Sequence, residues 1–288
     1  MRWQNRRLSD NVEDRRGGGG GGGMRTIGIG GGIGGIIIIV LALLFNQDPQ
    51  QALQSIQQGG NGAAQTESKA VTGSSDEISR FASTVLADTE DVWRQLFSQM
   101  NKNYQDAGMV LYTDYDQSGC GAAQAAMGPF YCPADEKVYL DLNFFNEMEQ
   151  RFKVAGDFAM AYVIAHEVGH HVQNLLGTSR KVQSMRSQLS EREYNKLSVM
   201  LELQADFFAG VWAHHAQKMQ NILEPGDIEE ALNAASAVGD DALQKASSGR
   251  VVPDAFTHGT SEQRMRWFKK GFETGDIRQG DTFNAPNL

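Results

Sequence analysis

FAMAYVIAHEVGHHVQNLL, residues 158–176, is the stretch on which the fold turns. Its apolar residues recur at spacings of three and four, as on a helix with one buried face. The helical pattern reaches back to about residue 152, and Gly177 follows as a C-cap. Set into this apolar surround is His166-Glu167-Val168-Gly169-His170. Residues four apart stand one helical turn above each other, so both imidazoles can face one divalent ion. Zinc suits such a pair, at bond lengths of about 2.0–2.1 Å. Glu167, beside the first of them, is placed to take a proton from a zinc-activated water. The alternative is a polar helix face that is merely solvated.

A catalytic zinc needs a third protein ligand and an open position. One zinc-peptidase pattern has a third histidine six residues after the second, but Leu176 stands there, and Gln173 replaces that pattern's glycine. A carboxylate from a later helix is the other route. SVMLELQADFFAGVWA, residues 198–213, is an apolar helical run carrying Glu202 and Asp206 four apart on one face. Carboxylates in so apolar a run are costly unless they bind something. Glu202 is therefore expected as the third ligand. Asp206 is expected to accept a hydrogen bond from a zinc-binding imidazole, which fixes the ring's orientation. As a bland alternative, the two are buried caps or salt-bridge partners.

HEVGH followed by ELQAD resembles the gluzincin arrangement, HExxH and then ExxxD. More narrowly, the chain resembles the bacterial neutral zinc metallopeptidases of the YpfJ type. The likeness covers nearly the whole length: basic N-terminus, glycine tract, single membrane helix, linker and catalytic domain. It implies a zinc hydrolase and leaves the substrate open. His258-Gly259-Thr260-Ser261-Glu262-Gln263-Arg264 is similar to a His-Pro-x-x-x-x-Arg segment late in membrane-linked gluzincins. That resemblance implies that His258 stabilises the oxyanion and that Arg264 pairs with a site carboxylate such as Asp206. Gly259 stands where those enzymes have proline. Without the resemblance, His258 is a turn histidine before a capped helix. His171 reads as a solvent-facing or packing residue, His214 and His215 as structural and Tyr162 as core packing.

The 288 residues are 41% hydrophobic and 21% charged, enough for a core that needs no disulfides. A net charge of −9 argues against a nucleic-acid partner. Residues 1–25 nevertheless hold six arginines against three acids, and residues 17–23 are all glycine, a flexible tether. Residues 26–45, TIGIGGGIGGIIIIVLALLF, carry no charge over twenty positions, the length of a helix crossing a core about 30 Å thick. With arginines before it and few cations after, the positive-inside rule puts the N-terminus in the cytoplasm. The rival is a cleaved signal peptide, but the apolar run is longer than such a peptide's core and ends LALLFNQDP, so an uncleaved signal anchor is expected. A single-pass membrane protein is expected, N-terminus cytoplasmic and catalytic domain periplasmic or extracellular. Gly28 and Gly30 mimic a dinucleotide fingerprint, but no strand precedes them, so no nucleotide is expected. Residues 46–75 are rich in Gln, Gly, Ser, Asn and Ala and read as a linker.

From residue 76 the pattern is helical, and further helices are expected at 191–219, 227–246 and 261–273. Residues 109–113 and 138–142 read as short strands, with Cys120 and Cys132 between them. The two cysteines form no C-x-x-C pair, and a local disulfide suits them in an oxidising compartment. The predicted fold is α+β: a mostly helical, zincin-like domain over 76–288 with a small β element, preceded by a single transmembrane helix. Strand 138–142 is expected at a sheet edge, where an extended peptide adds as a partner. The function expected is a membrane-anchored, Zn2+-dependent endopeptidase acting on peptide or protein substrates. Its rival is a zinc-stabilised, non-catalytic binding or scaffold module at the membrane, and turnover separates the two.

Overall fold

The computed structural model describes residues 1–16, 74–124, 128–152 and 154–288. The architecture is mixed α+β, mostly helical with two small sheets. In chain order the strands are β1 (Val12–Asp14), β2 (Gly108–Tyr112), β3 (Tyr115–Ser118), β4 (Gly121–Gln124), β5 (Phe130–Cys132) and β6 (Lys137–Asp141). The helices are α1 (Ser74–Gln99), α2 (Asn143–Phe152), α3 (Asp157–Leu176), α4 (Thr178–Ser184), α5 (Glu191–Gln220), α6 (Asp227–Ala237), α7 (Asp240–Ser248) and α8 (Ser261–Thr274). The pattern expected from residue 152 onwards divides, because Gly156 takes φ 113° at the N-cap of α3, a conformation open to glycine and strained for other residues. The stretch 227–246 likewise divides into α6 and α7.

The helices form because each has an apolar face to bury and a cap to start or stop it. α5 begins with a reciprocal capping box between Ser190 and Glu193, and α8 with one between Thr260 and Gln263. α3 and α5 pack against each other, with α8 laid across α5, α6 against α3, and α1 behind α3. Aromatic pairs lock these contacts: Trp93 of α1 meets Phe208 of α5 edge-on at 5.5 Å, and Phe158 of α3 stacks on Trp212 of α5 at 5.9 Å. Each such side chain, removed from water, contributes about 1.5–3 kcal/mol before cavity terms.

The main sheet has strand order β1-β2-β6-β5, parallel from β1 to β6, with β5 antiparallel to β6. β3 and β4 form a separate hairpin. Strand 138–142 was expected at the edge and is interior, paired on both sides; β5 is the edge instead. Sequence order misleads here because the chain leaves β2, makes the hairpin, passes along β5 and only then returns to fill the slot beside β2.

The membrane placement is also corrected. Among the described residues no helix is long and apolar enough to cross a membrane. The glycine tract 17–23, the expected span 26–45 and residues 46–73 of the linker expected at 46–75 lie outside the described residues, while Ser74 and Ser75 open α1. What is described contradicts a single crossing with the N-terminus on the opposite side. β1 pairs with β2 in register, Val12 with Met109 and Asp14 with Leu111. Arg2 donates its backbone N–H to Ile222, and Trp3 meets Phe81 edge-on at 5.5 Å. Residues 1–16 and the helical domain are therefore on one side. The arginines that suggested the opposite topology are spent on carboxylates: Arg6 on Asp88, Arg7 on Glu90 and Asp91, Arg15 on Glu13 and Asp116, and Arg16 on Asp14.

Candidate metal centre

α3 and α5 cross closely because Gly169 has no side chain. A Cβ there would lie 2.9 Å from the backbone oxygen of Ala205, so even alanine would push the helices apart. This crossing turns His166 and His170 of α3 toward Glu202 and Asp206 of α5. His166 Nε2 lies 3.2 Å from one Glu202 oxygen, and His170 Nε2 lies 3.5 Å from the other. The three ligand atoms are mutually within 4.8 Å. Donors of a tetrahedral zinc at about 2.0–2.1 Å stand roughly 3.3 Å apart, so these residues fit one zinc ion. Two imidazoles and one carboxylate are a donor set zinc takes in catalytic sites, leaving a fourth position open.

Each imidazole is aimed from behind. His166 Nδ1 bonds Asp206 Oδ1 at 2.7 Å, and His170 Nδ1 bonds Gln173 Oε1 at 2.9 Å. A carboxylate and an amide oxygen can only accept, so each ring carries its proton on Nδ1 and offers Nε2 to the cluster. Gln173 is in turn fixed by donating to the Leu201 carbonyl at 2.7 Å. Asp206 receives Arg264 twice, Nε on one oxygen at 2.8 Å and Nη2 on the other at 2.9 Å, and also the Tyr162 hydroxyl at 2.5 Å. Burial pushes the Asp206 carboxyl up, but Arg264 and His166 outweigh it and hold it at about 2. Burial pulls His166 down, yet Asp206 and Glu202 raise it to about 9 in the metal-free chain. Burial likewise works against ionised Glu202, and the surrounding His170, His258 and His166 hold it well below the usual carboxylate range.

Glu167 is buried on the adjoining face of α3. Burial is the first cause that lifts its carboxyl above the ordinary range, with the two imidazoles and the Tyr131 backbone N–H pulling the other way. His258 is held by a loop organised around Asp240. One oxygen of that carboxylate accepts from the backbone N–H groups of Thr257, His258 and Gly259 at 2.7, 2.6 and 3.0 Å. The other oxygen lies 3.3 Å from His258 Nδ1. Burial lowers the His258 pKa, but Glu202 and Asp240 outweigh it and raise it overall. Gly259 has φ +92° and lies against Val199 and Leu203. Proline is locked near −65°, which explains why this position departs from a His-Pro pattern.

All of His166, Glu167, His170, Glu202, Asp206 and Arg264 thus converge, and His258 lies within electrostatic reach of Glu202. Cys120 and Cys132 are joined in a disulfide that ties the β3–β4 turn to the end of β5. Tyr162, expected as packing, is a member of the Asp206 network. Gln173 and Asp240 were missed; the i, i+3 spacing flags Gln173 as lying near His170 on the helix, whereas nothing local marks Asp240. His171 is neither exposed nor mere packing: both its ring nitrogens are hydrogen-bonded. His214 and His215 bond the backbone carbonyls of Phe272 and Gly275, far from the cluster in sequence and function.

Fold and site together define a mixed α+β protein with a zinc-type donor set at the crossing of two helices. A family model described as "Putative neutral zinc metallopeptidase" matches residues 1–283. The protein YpfJ of Escherichia coli (strain K12) is 51% identical over 288 residues, covering 98% of this chain and 99% of its own. An uncharacterized protein of Mycobacterium tuberculosis is 42% identical over 207 residues, covering 68% of each chain. The chain belongs to the neutral zinc metallopeptidase family. The relatives' names assign no activity, and no solved structure matches the chain.

Proposed function

We propose that this chain is a zinc-dependent endopeptidase acting on extended segments of peptide or protein. The observation that carries the proposal is the three-ligand cluster itself: His166, His170 and Glu202 bring ligand atoms within 4.8 Å of one another, and the buried carboxyl of Glu167 stands next in sequence to His166. A metal held only for structure has no use for such a group. His166, His170 and Glu202 would hold the zinc, which when bound supplies Lewis acidity toward the scissile carbonyl and the attacking water. Glu167 takes the proton of that water and passes it to the leaving amine; burial raises its carboxyl above the ordinary range and so favours the protonated form that the second step needs. Asp206, backed by Arg264 and Tyr162, keeps His166 presenting Nε2. His258, raised in pKa and clamped by Asp240, donates toward the oxyanion that develops on the carbonyl. β5, the terminal strand of the main sheet among the described residues, packs beside α3 and puts a sheet edge next to the site, where an extended substrate can lie.

The test is Glu167→Gln, assayed with unstructured protein substrates and with zinc content measured in parallel. The expected result is a rate lowered by about 10²–10⁴-fold, the range for loss of a general acid–base group, at unchanged zinc stoichiometry. A full rate in the variant removes Glu167 from the mechanism, and an absence of turnover in the wild type favours a zinc-stabilised binding module.

A further inference from the structure

His171 follows the second histidine of the cluster and is 0% exposed. Its Nε2 lies 2.7 Å from the backbone carbonyl of Gln105 and its Nδ1 lies 2.9 Å from the Tyr131 hydroxyl. A carbonyl only accepts, so Nε2 carries the proton. In so buried a place the neutral ring is favoured, and Nδ1 is left as the acceptor for the tyrosine's O–H. Asn174, one turn on, donates to the same hydroxyl at 3.2 Å. The phenol is therefore gripped by two residues of α3, with the rings of Tyr104 and Tyr131 edge-on to the imidazole at 5.6 and 5.4 Å.

Tyr131 is the middle residue of β5, paired with Val138 of β6, and its neighbour Cys132 carries the disulfide to Cys120. A three-residue edge strand has few ladder bonds of its own. It is held instead at two points, the disulfide and the Tyr131 hydroxyl. Its backbone N–H at Tyr131 lies near enough to the Glu167 carboxyl to pull the carboxyl's pKa down. α3 thus meets β5 twice: through Glu167 at the backbone, and through His171 and Asn174 at the side chain.

We propose that His171 is a positioning residue for Glu167, acting through Tyr131: it fixes the height of strand β5 over α3 and with it the backbone N–H that orients the Glu167 carboxylate. This rests on the endopeptidase reading for its consequence, and on the hydrogen-bond geometry alone for the contact.

The experiment compares His171→Asn, His171→Gln, Tyr131→Phe and the His171→Gln/Tyr131→Phe double variant. An asparagine places its amide near the Nδ1 position and keeps an acceptor for the tyrosine; a glutamine reaches the Gln105 carbonyl and loses it. Expected are kcat values about 10-fold lower for His171→Gln and for Tyr131→Phe, the scale of losing one orienting partner, with KM and zinc content unchanged. The double variant falls no further, and His171→Asn keeps most of the rate. Hydrogen exchange of residues 130–132 in the metal-free proteins is faster in His171→Gln and Tyr131→Phe than in wild type or His171→Asn. Equal losses in Asn and Gln variants, a multiplied loss in the double variant, or unchanged exchange would each overturn the proposal. Faster exchange with no turnover in any form would uphold the contact and sink the endopeptidase reading instead.

Discussion

Two buried aspartates, each beside an arginine, behave in opposite ways. Asp206 of α5 is 0% exposed and Asp88 of α1 is 2% exposed. Arg264 grips both oxygens of Asp206, and His166 and Tyr162 donate as well. Arg6, arriving on the N-terminal segment, reaches one oxygen of Asp88, and the other receives no hydrogen bond among the described residues. Asp206 is held at about 2, whereas burial pushes Asp88 up to about 7 against the pull of Arg6. Burial and an arginine are common to both. What differs is the company: Arg264, His166 and Tyr162 all act on Asp206, whereas Asp88 has a hydrogen bond on one oxygen only and Asp91 nearby pushes it further up. The satisfied cluster backs His166; the other joins two pieces of chain.

Removing Arg264 should break the comparison hardest. Arg264→Met leaves Asp206 buried with its main counter-charge gone, and losing one partner of a buried pair costs about 3–5 kcal/mol. A thermal melt should show a drop of several degrees, and an unshifted midpoint would mean the pair contributes little. Asp206→Asn is milder for the fold and should weaken zinc binding by about 10–100-fold, the usual scale for an orienting partner. Competition against a chelator of known affinity measures it; wild-type affinity in this variant would deny Asp206 an orienting role.

The smaller effects are those of pH. Asp88 has a folded pKa raised above its unfolded one, so its contribution to stability is full below about pH 4 and lost as pH rises through about 7. Asp206 has the opposite sign: its contribution is present above about pH 4 and lost as pH falls toward 2. Between pH 5 and 8 the melting midpoint of wild type should therefore fall relative to that of Asp88→Asn. A constant difference across that window would show that Asp88 titrates normally.

How much of this was legible beforehand follows from the range of the interactions. His166, Glu167, His170, Glu202 and Asp206 lie at helical spacings within two apolar runs, so one-dimensional periodicity placed them on facing surfaces. Arg264 came from likeness to other sequences, and its two bonds to Asp206 cross 58 positions. Asp240 serves three backbone N–H groups 17 to 19 residues away, and no local pattern announces such a role. β1 and β5 have three residues each, too short for alternation to register, and without them the sheet edge was put on β6. The N-terminal arginines misled because charge was counted while partners were not: their acids lie far along the chain, Asp116 for Arg15 and Glu224 for Arg2.

The central claim is that His166, His170 and Glu202 hold one metal ion. Diffraction from zinc-loaded crystals, recorded on both sides of the zinc absorption edge, tests it most directly. The account predicts one strong anomalous peak about 2.0–2.1 Å from each of the two Nε2 atoms and a Glu202 oxygen. A peak at the other acidic group, Asp157, Asp227 and Glu230, with none between α3 and α5, would contradict it.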